Sequence, residues 1–168
     1  MRFRFLIAAL AALSLSACAT VERYDAAADI HAFLVSIRDN DKQAFDAHVD
    51  RPALKAQLRS RVQAGLLKRN DNLSALAAMF AGPLVDVAVD QLVQPGVFLA
   101  VAEANGYAPS KPLPGRAGIA AALHTLQDGR VCVTVKRNGP CVLDFRNEDG
   151  TWRLVAFEGD ASLLKMKF

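Results

Sequence analysis

The sequence predicts an α+β fold, in which amino-terminal helices cover one face of a carboxy-terminal antiparallel sheet of three to five strands. Three observations lead there. Between Gly129 and Phe157, three β-prone runs (Val131 to Val135, Cys141 to Phe145 and Thr151 to Phe157) are separated by Asn138-Gly139 and Asp149-Gly150. Those dipeptides tolerate the positive φ that tight hairpin turns demand. Taking Asp149-Gly150 as a two-residue loop sets Arg146 opposite Arg153, Phe145 opposite Leu154 and Leu143 opposite Ala156. Side chains alternate between faces, so Leu143, Phe145, Trp152, Leu154 and Ala156 share one face, while Val142, Asp144, Arg146, Arg153, Val155 and Phe157 share the other. The first face is cleanly apolar and needs a cover. The chain before Gly129 supplies it, because its apolar residues recur at helical spacing.

The first predicted helix runs from Asp25, its cap, to Arg38, with Ala26, Ile30, Phe33, Leu34 and Ile37 on one stripe. Asp41 caps a short second helix through His48. Asp50 caps a third, Arg51 to Ala64, with Pro52 in its first turn, where a missing N–H is harmless. That helix carries an apolar stripe of Leu54, Leu58 and Val62, bordered by Arg51, Lys55 and Arg59 on one side and Arg61 on the other. Six basic residues and no acid lie between Arg51 and Arg69. Such a surface either stands in solvent or rests on anionic headgroups or a partner protein.

From Leu73 to Ala104 the chain is at its most apolar. Gly82-Pro83 and Gln94-Pro95 are expected to cut it into three short helices. The middle one is apolar nearly all round and is expected to be buried apart from Asp86 and Asp90, two carboxylates on one face. The span from Asn105 to Gly115, with three prolines and two glycines, reads as a loop. Ala117 to Leu126 fits either a helix ended by Gly129 or a first strand, and Leu164 to Phe168 alternates like a final edge strand.

At 168 residues there is room for one domain, and a hydrophobic fraction of 52% excludes disorder. Without Arg2 and Arg4, the 20 basic residues become 18 against 17 acids, a near-balance that argues against nucleic acid as a partner. The opening, Met1 to Cys18, has a basic start, an apolar run from Phe5 to Leu15 too short to span a bilayer, and small residues at its end. Leu15-Ser16-Ala17-Cys18 resembles a bacterial lipobox. The resemblance implies a signal peptide over 1–17, cleavage before Cys18, diacylglycerol on its sulfur and a fatty acyl group such as palmitate on its new amino terminus. Three acyl chains would anchor the protein stably. Ala19 after the cysteine implies the outer membrane, facing the periplasm. The alternative is ordinary secretion into the periplasm or beyond, with Cys18 incidental. Residues 18–24 would form an acylated tether of about 20 Å when extended, and 25–168 a single domain.

The run His48-Val49-Asp50-Arg51-Pro52-Ala53-Leu54-Lys55, with Gln94-Pro95-Gly96-Val97 and Asp149-Gly150-Thr151-Trp152-Arg153-Leu154, resembles a bacterial family known as domain of unknown function 2939. The resemblance covers about residues 25 to 157 and departs at Arg51, where an aromatic usually precedes the proline. It carries over no site residues, since no activity is established for that family. More loosely, leading helices and a hairpin of this kind resemble the cone-shaped nuclear-transport-factor-2-like fold, which implies a pocket between helices and sheet.

Candidate chemistry is sparse. His31, His48 and His124 lack metal-ligand spacing, and no phosphate loop, nucleophile elbow or Cys-x-x-Cys occurs. No cofactor, metal or catalytic set is expected. Cys132 and Cys141 remain once Cys18 is acylated, and an oxidising compartment invites them to pair. A two-residue Asn138-Gly139 loop would set Cys132 opposite Phe145 and hold the two about 13 Å apart, too far to bond. A wider loop or a bulge near Pro140 would reconcile them. The leading functional expectation is a non-catalytic lipoprotein that is anchored to the membrane and binds an apolar, lipid-like ligand or an envelope protein. The alternative is a periplasmic enzyme using His31, Asp86 or Asp90 as acid–base groups in a cone-shaped pocket.

Overall fold

The computed structural model describes residues 2–67, 72–134 and 139–157. Six helices lead into four strands: α1 Arg2–Arg38, α2 Lys42–Ala47, α3 Arg51–Leu67, α4 Asn72–Leu92, α5 Pro95–Ala104 and α6 Arg116–Ala122, then β1 Leu123–Thr125, β2 Val131–Thr134, β3 Cys141–Glu148 and β4 Thr151–Phe157. The strands form one antiparallel meander in the order β1-β2-β3-β4, so the architecture is α+β. Asn138 and the alternating run from Leu164 to Phe168 lie outside the described residues.

Local signals account for most boundaries. Asp41 caps α2 by accepting from the Ala44 amide at 3.0 Å, and Asp50 caps α3 through the Ala53 amide at 2.9 Å. Pro95 opens α5, where its missing N–H has no intrahelical partner to lose. Asp149 and Gly150 take φ of 52° and 85°, the left-handed pair that a tight hairpin between right-twisted strands requires. The Asn147 side chain accepts from the Gly150 amide at 3.0 Å and holds that turn closed.

Several boundaries differ from expectation. Helix α1 does not begin at Asp25 but runs without a break from Arg2, so Ala19 to Tyr24 are helical rather than extended. Six helical residues reach only about 9 Å. The chain from Asn72 to Leu92 is one helix, with Pro83 inside it. The missing N–H and ring of Pro83 oppose this helix locally, and its packing along α3 holds it as one element. Arg116 to Thr125 is helix and strand in succession, the Leu123 amide closing α6 on the Ala120 carbonyl before β1 begins.

The β3–β4 pairing keeps Arg146 opposite Arg153 and Phe145 opposite Leu154, but a bulge between Asp144 and Phe145 shifts the rest of the ladder. Leu143 then faces Phe157, and Ala156 faces Asp144. In the β2–β3 pairing Cys132 lies opposite Asp144 rather than Phe145, and the register shifts between Val133 and Thr134, where Val142 is the extra residue of β3. Bulges add one residue to one strand and bend it.

The core lies between α1 and the sheet. Phe33 stacks on Phe45 at 5.3 Å between centroids and meets Phe98 and Phe145 edge-on at 5.9 and 5.8 Å. Phe98 also contacts Phe45 and Phe157. Leu54, Leu123, Val131, Trp152 and Leu154 complete this core. Each such side chain contributes about 1.5–3 kcal/mol by leaving water.

The free edge of β4 is covered throughout. The Trp152 amide donates to Asp29 at 2.8 Å and the Leu154 amide to the His48 carbonyl at 2.9 Å, while the Phe157 amide donates to the side-chain oxygen of Gln57 at 3.0 Å. In return, the Asp50 amide and the Gln57 side-chain nitrogen donate to the Leu154 and Phe157 carbonyls. Val49 thereby forms a short parallel bridge with Leu154. An uncovered edge would template pairing with another chain.

Candidate functional site

The basic row of α3 and the carboxylates of α4 meet each other. Lys55 donates to Asp90 at 2.8 Å, and Arg59 pairs with Asp86. Arg51 reaches furthest in. It donates to Asp46 at 2.6 Å and to the Val93 carbonyl at 2.8 Å, with Asp90 at 3.9 Å. Burial pushes the Asp46 carboxyl up, but bonds from Lys42 and Arg51 outweigh that and hold it below the ordinary aspartate value. The four-residue spacing that lines up Arg51, Lys55 and Arg59 is the spacing that lines up Asp86 and Asp90, so two helices packed side by side match charge to charge. Arg61, on the other border of the stripe, is exposed.

This ladder engages both carboxylates of the expected acid–base pair with basic residues of α3. Asp86 and Asp90 belong to α4, whose main neighbour is α3. His31 is half-buried on α1, which packs on α2, α5, α6, β1 and β4. His48 donates from Nδ1 to the Ala44 carbonyl oxygen, 2.9 Å away, at the end of α2.

From Gly82 to Leu92, α4 is buried on one side only. Val85, Val89 and Val93 lie in the core, whereas Leu84, Val87 and Leu92 are 73%, 62% and 52% exposed. That corrects the expectation of burial all round: α4 packs on α3, while Leu84, Val87 and Leu92 stay exposed. Among the described residues no single helix is long and apolar enough to cross a membrane, and Gly82–Leu92 with Pro95–Ala104 reach that apolarity only as a pair bent by 72°.

A second apolar surface lies on α1. Val21 and Tyr24 are exposed and, with Thr20, Asp25, Ala28 and Arg116, line a shallow open depression of about 530 Å³ where α1 meets α6. Asp25, expected as a helix cap, instead accepts from the indole N–H of Trp152 at 3.0 Å. The side chain of Cys18 lies outside the described part of the structure.

On the sheet, Cys132 and Cys141 are bonded, with S–S at 2.14 Å and Cα atoms 5.6 Å apart. The β2–β3 register is not the one that a two-residue Asn138-Gly139 loop would set, on either side of its shift between Val133 and Thr134. Asp144 lies beside the bridge, 2% exposed, and accepts from Arg130 at 2.6 Å. Arg130 also holds Asp128, whose carboxyl it draws below the ordinary value by donating to it. At the hairpin end, burial first, then the Asp50 carboxylate, push the Glu148 carboxyl above its ordinary value, against the pull of Arg153 and Arg146. The pairing of Arg130 with Asp144 and the approach of Asp50 to Glu148 join different elements, so sequence spacing does not announce them.

Helices leading into a four-stranded antiparallel meander define a small α+β module. The chain belongs to the family described as "Protein of unknown function (DUF2939)", whose model matches residues 6–101. That span starts earlier than the resemblance in sequence suggested and ends before the sheet, so Asp149 to Leu154 fall outside it. No curated protein and no solved structure matched the chain. The His48 to Lys55 run lies inside the matched span, and its visible work is structural: His48 and Asp50 bind the β4 edge, while Arg51 and Lys55 tie α3 to Asp46 and α4.

Proposed function

We propose that this chain is a lipoprotein of the bacterial outer membrane, held by an acylated Cys18 on the periplasmic face, and that it acts as a non-catalytic binding or envelope-structural module. The observation that carries the reading is Leu15-Ser16-Ala17-Cys18 behind a basic, apolar leader. Support comes from the apolar residues left in solvent. Val21 and Tyr24 follow the anchor by one and two helical turns, and α4 presents Leu84, Val87 and Leu92 outward. An anchored body whose apolar side chains face out is suited to lie against lipid or an envelope protein.

The nuclear-transport-factor-2-like likeness is part of the same proposal. Leading helices on a curved antiparallel sheet fit it, but here the phenylalanine cluster occupies the helix–sheet space where that fold would hold a ligand. An apolar ligand or partner is therefore assigned to the outer surface of α4 rather than to the interior. The basic row of α3 is a weak candidate for lipid contact, since Arg51, Lys55 and Arg59 are already paired.

The test is fractionation of cells expressing the wild type and Cys18→Ser. Wild type should sediment with outer membranes and resist high-salt extraction, while Cys18→Ser should leave that fraction. Equal distribution of the two would end the proposal.

A further inference from the structure

Cys132 on β2 and Cys141 and Asp144 on β3 bring two sulfurs and a carboxylate oxygen within 4.8 Å of one another. Cys132 and Asp144 are 1% and 2% exposed, and Cys141 is half-buried. A disulfide that only staples a hairpin has no use for the carboxylate. Burying a carboxylate costs several kcal/mol unless a partner offsets it, and Arg130 is committed to that task at 2.6 Å. Two sulfurs and one carboxylate on adjacent strands are instead a donor set for a borderline-soft, tetrahedral cation.

We propose that, once the bridge is reduced, Cys132, Cys141 and Asp144 form a three-ligand site for a divalent cation of the zinc class. The same hairpin is then clipped by a disulfide when oxidised and by a metal ion when reduced. The reductant is a dithiol: it gives two electrons and two protons to the S–S bond and becomes a disulfide itself, leaving two thiols in the chain. Metal binding displaces both thiol protons to water, so two thiolates and one carboxylate face the divalent cation. The surplus negative charge meets the Arg130 guanidinium, which also favours the thiolate forms.

The required movement is small. Zinc–sulfur bonds of about 2.3 Å at a tetrahedral angle place the sulfurs about 3.8 Å apart, and Cα atoms at 5.6 Å can stay in place while the two side chains rotate to that spacing. His124 stands opposite Cys132 in the ladder and shares its side of the sheet, so the fourth position falls to its imidazole or to water. The site comes from two strands joined by a bulge, and no ligand spacing in the sequence announces it.

This inference does not depend on the lipid anchor. The full chain, reduced with a phosphine in metal-free buffer and kept from oxygen, is titrated with Cd²⁺ while the thiolate-to-cadmium charge-transfer absorption is followed. The band should saturate at one equivalent, be absent from the oxidised chain, and be displaced by Zn²⁺. Asp144→Asn should weaken binding at least about tenfold, in line with the loss of a supporting metal contact. No one-equivalent band, or an Asp144→Asn variant that binds as tightly as wild type, would overturn the site. A second readout needs no variant: Zn²⁺ should raise the thermal midpoint of the reduced chain and leave the oxidised chain unmoved. Equal shifts in both forms would mean surface binding and would also overturn it.

Discussion

Replacing Phe33 with alanine should cost the fold about 4 kcal/mol. The ring is 1% exposed and is held on three sides by Phe45, Phe98 and Phe145, with centroids at 5.3, 5.9 and 5.8 Å. Phe→Ala changes in cores span roughly 3–5 kcal/mol, and each aromatic contact adds about 0.5–1.5 kcal/mol beyond area burial, which places this site in the upper half of the range. The assay is urea denaturation of the oxidised protein, followed by the fluorescence of Trp152, the chain's single tryptophan, itself 2% exposed. For a domain of this size the thermal midpoint should fall by about 8–16 °C. A loss below about 1.5 kcal/mol would refute the reasoning, because it would mean that the helix–sheet space yields or is hollow and has room for a ligand.

The same contacts predict other outcomes. Cys132→Ser should lose about 2.7 kcal/mol in the chain-entropy account of a bridge with sequence separation 9, and in metal-free buffer the difference from wild type should vanish on adding reductant. Arg51→Ala should cost about 1.5–3 kcal/mol for its charged hydrogen bonds to Asp46 and the Val93 carbonyl, whereas Lys55→Ala, which loses one pair with the exposed Asp90, should cost under about 1 kcal/mol; equal losses in urea titrations would contradict the difference in partners between them. Glu148 carries a carboxyl held above its ordinary value, so folding takes up protons and stability falls as pH rises from the ordinary glutamate range through the raised one. Glu148→Gln should therefore gain on wild type above that window and gain nothing below it; an advantage that grows toward acid would contradict the assignment.

Much of the fold was legible because its signals are local. Asp41 and Asp50 announce the starts of α2 and α3, and Asp149-Gly150 fixes a hairpin whose register predicts the burial of Phe145, Trp152 and Leu154. The features that escaped depend on partners far along the chain. The basic row of α3 looks like a free cationic face until α4, 27 and 35 residues further on, supplies Asp86 and Asp90. Those same carboxylates look like an acid–base pair for the same reason. One extra residue in β3, Val142, and one in β4, Val155, reverse the local alternation, which no period-two reading can anticipate. The β2–β3 register decides whether Cys132 reaches Cys141 and whether Asp144 joins them. Pro83 misled in the opposite sense, since tertiary packing of α4 on α3 overrides a local breaker.

The membrane assignment rests on the thiol of Cys18, and the mass of the intact chain extracted from membranes reads it directly. The account requires a protein that starts at Cys18 and carries a diacylglycerol and a third acyl chain. A chain that starts at Ala19 or Thr20, or an unmodified Cys18, would contradict it.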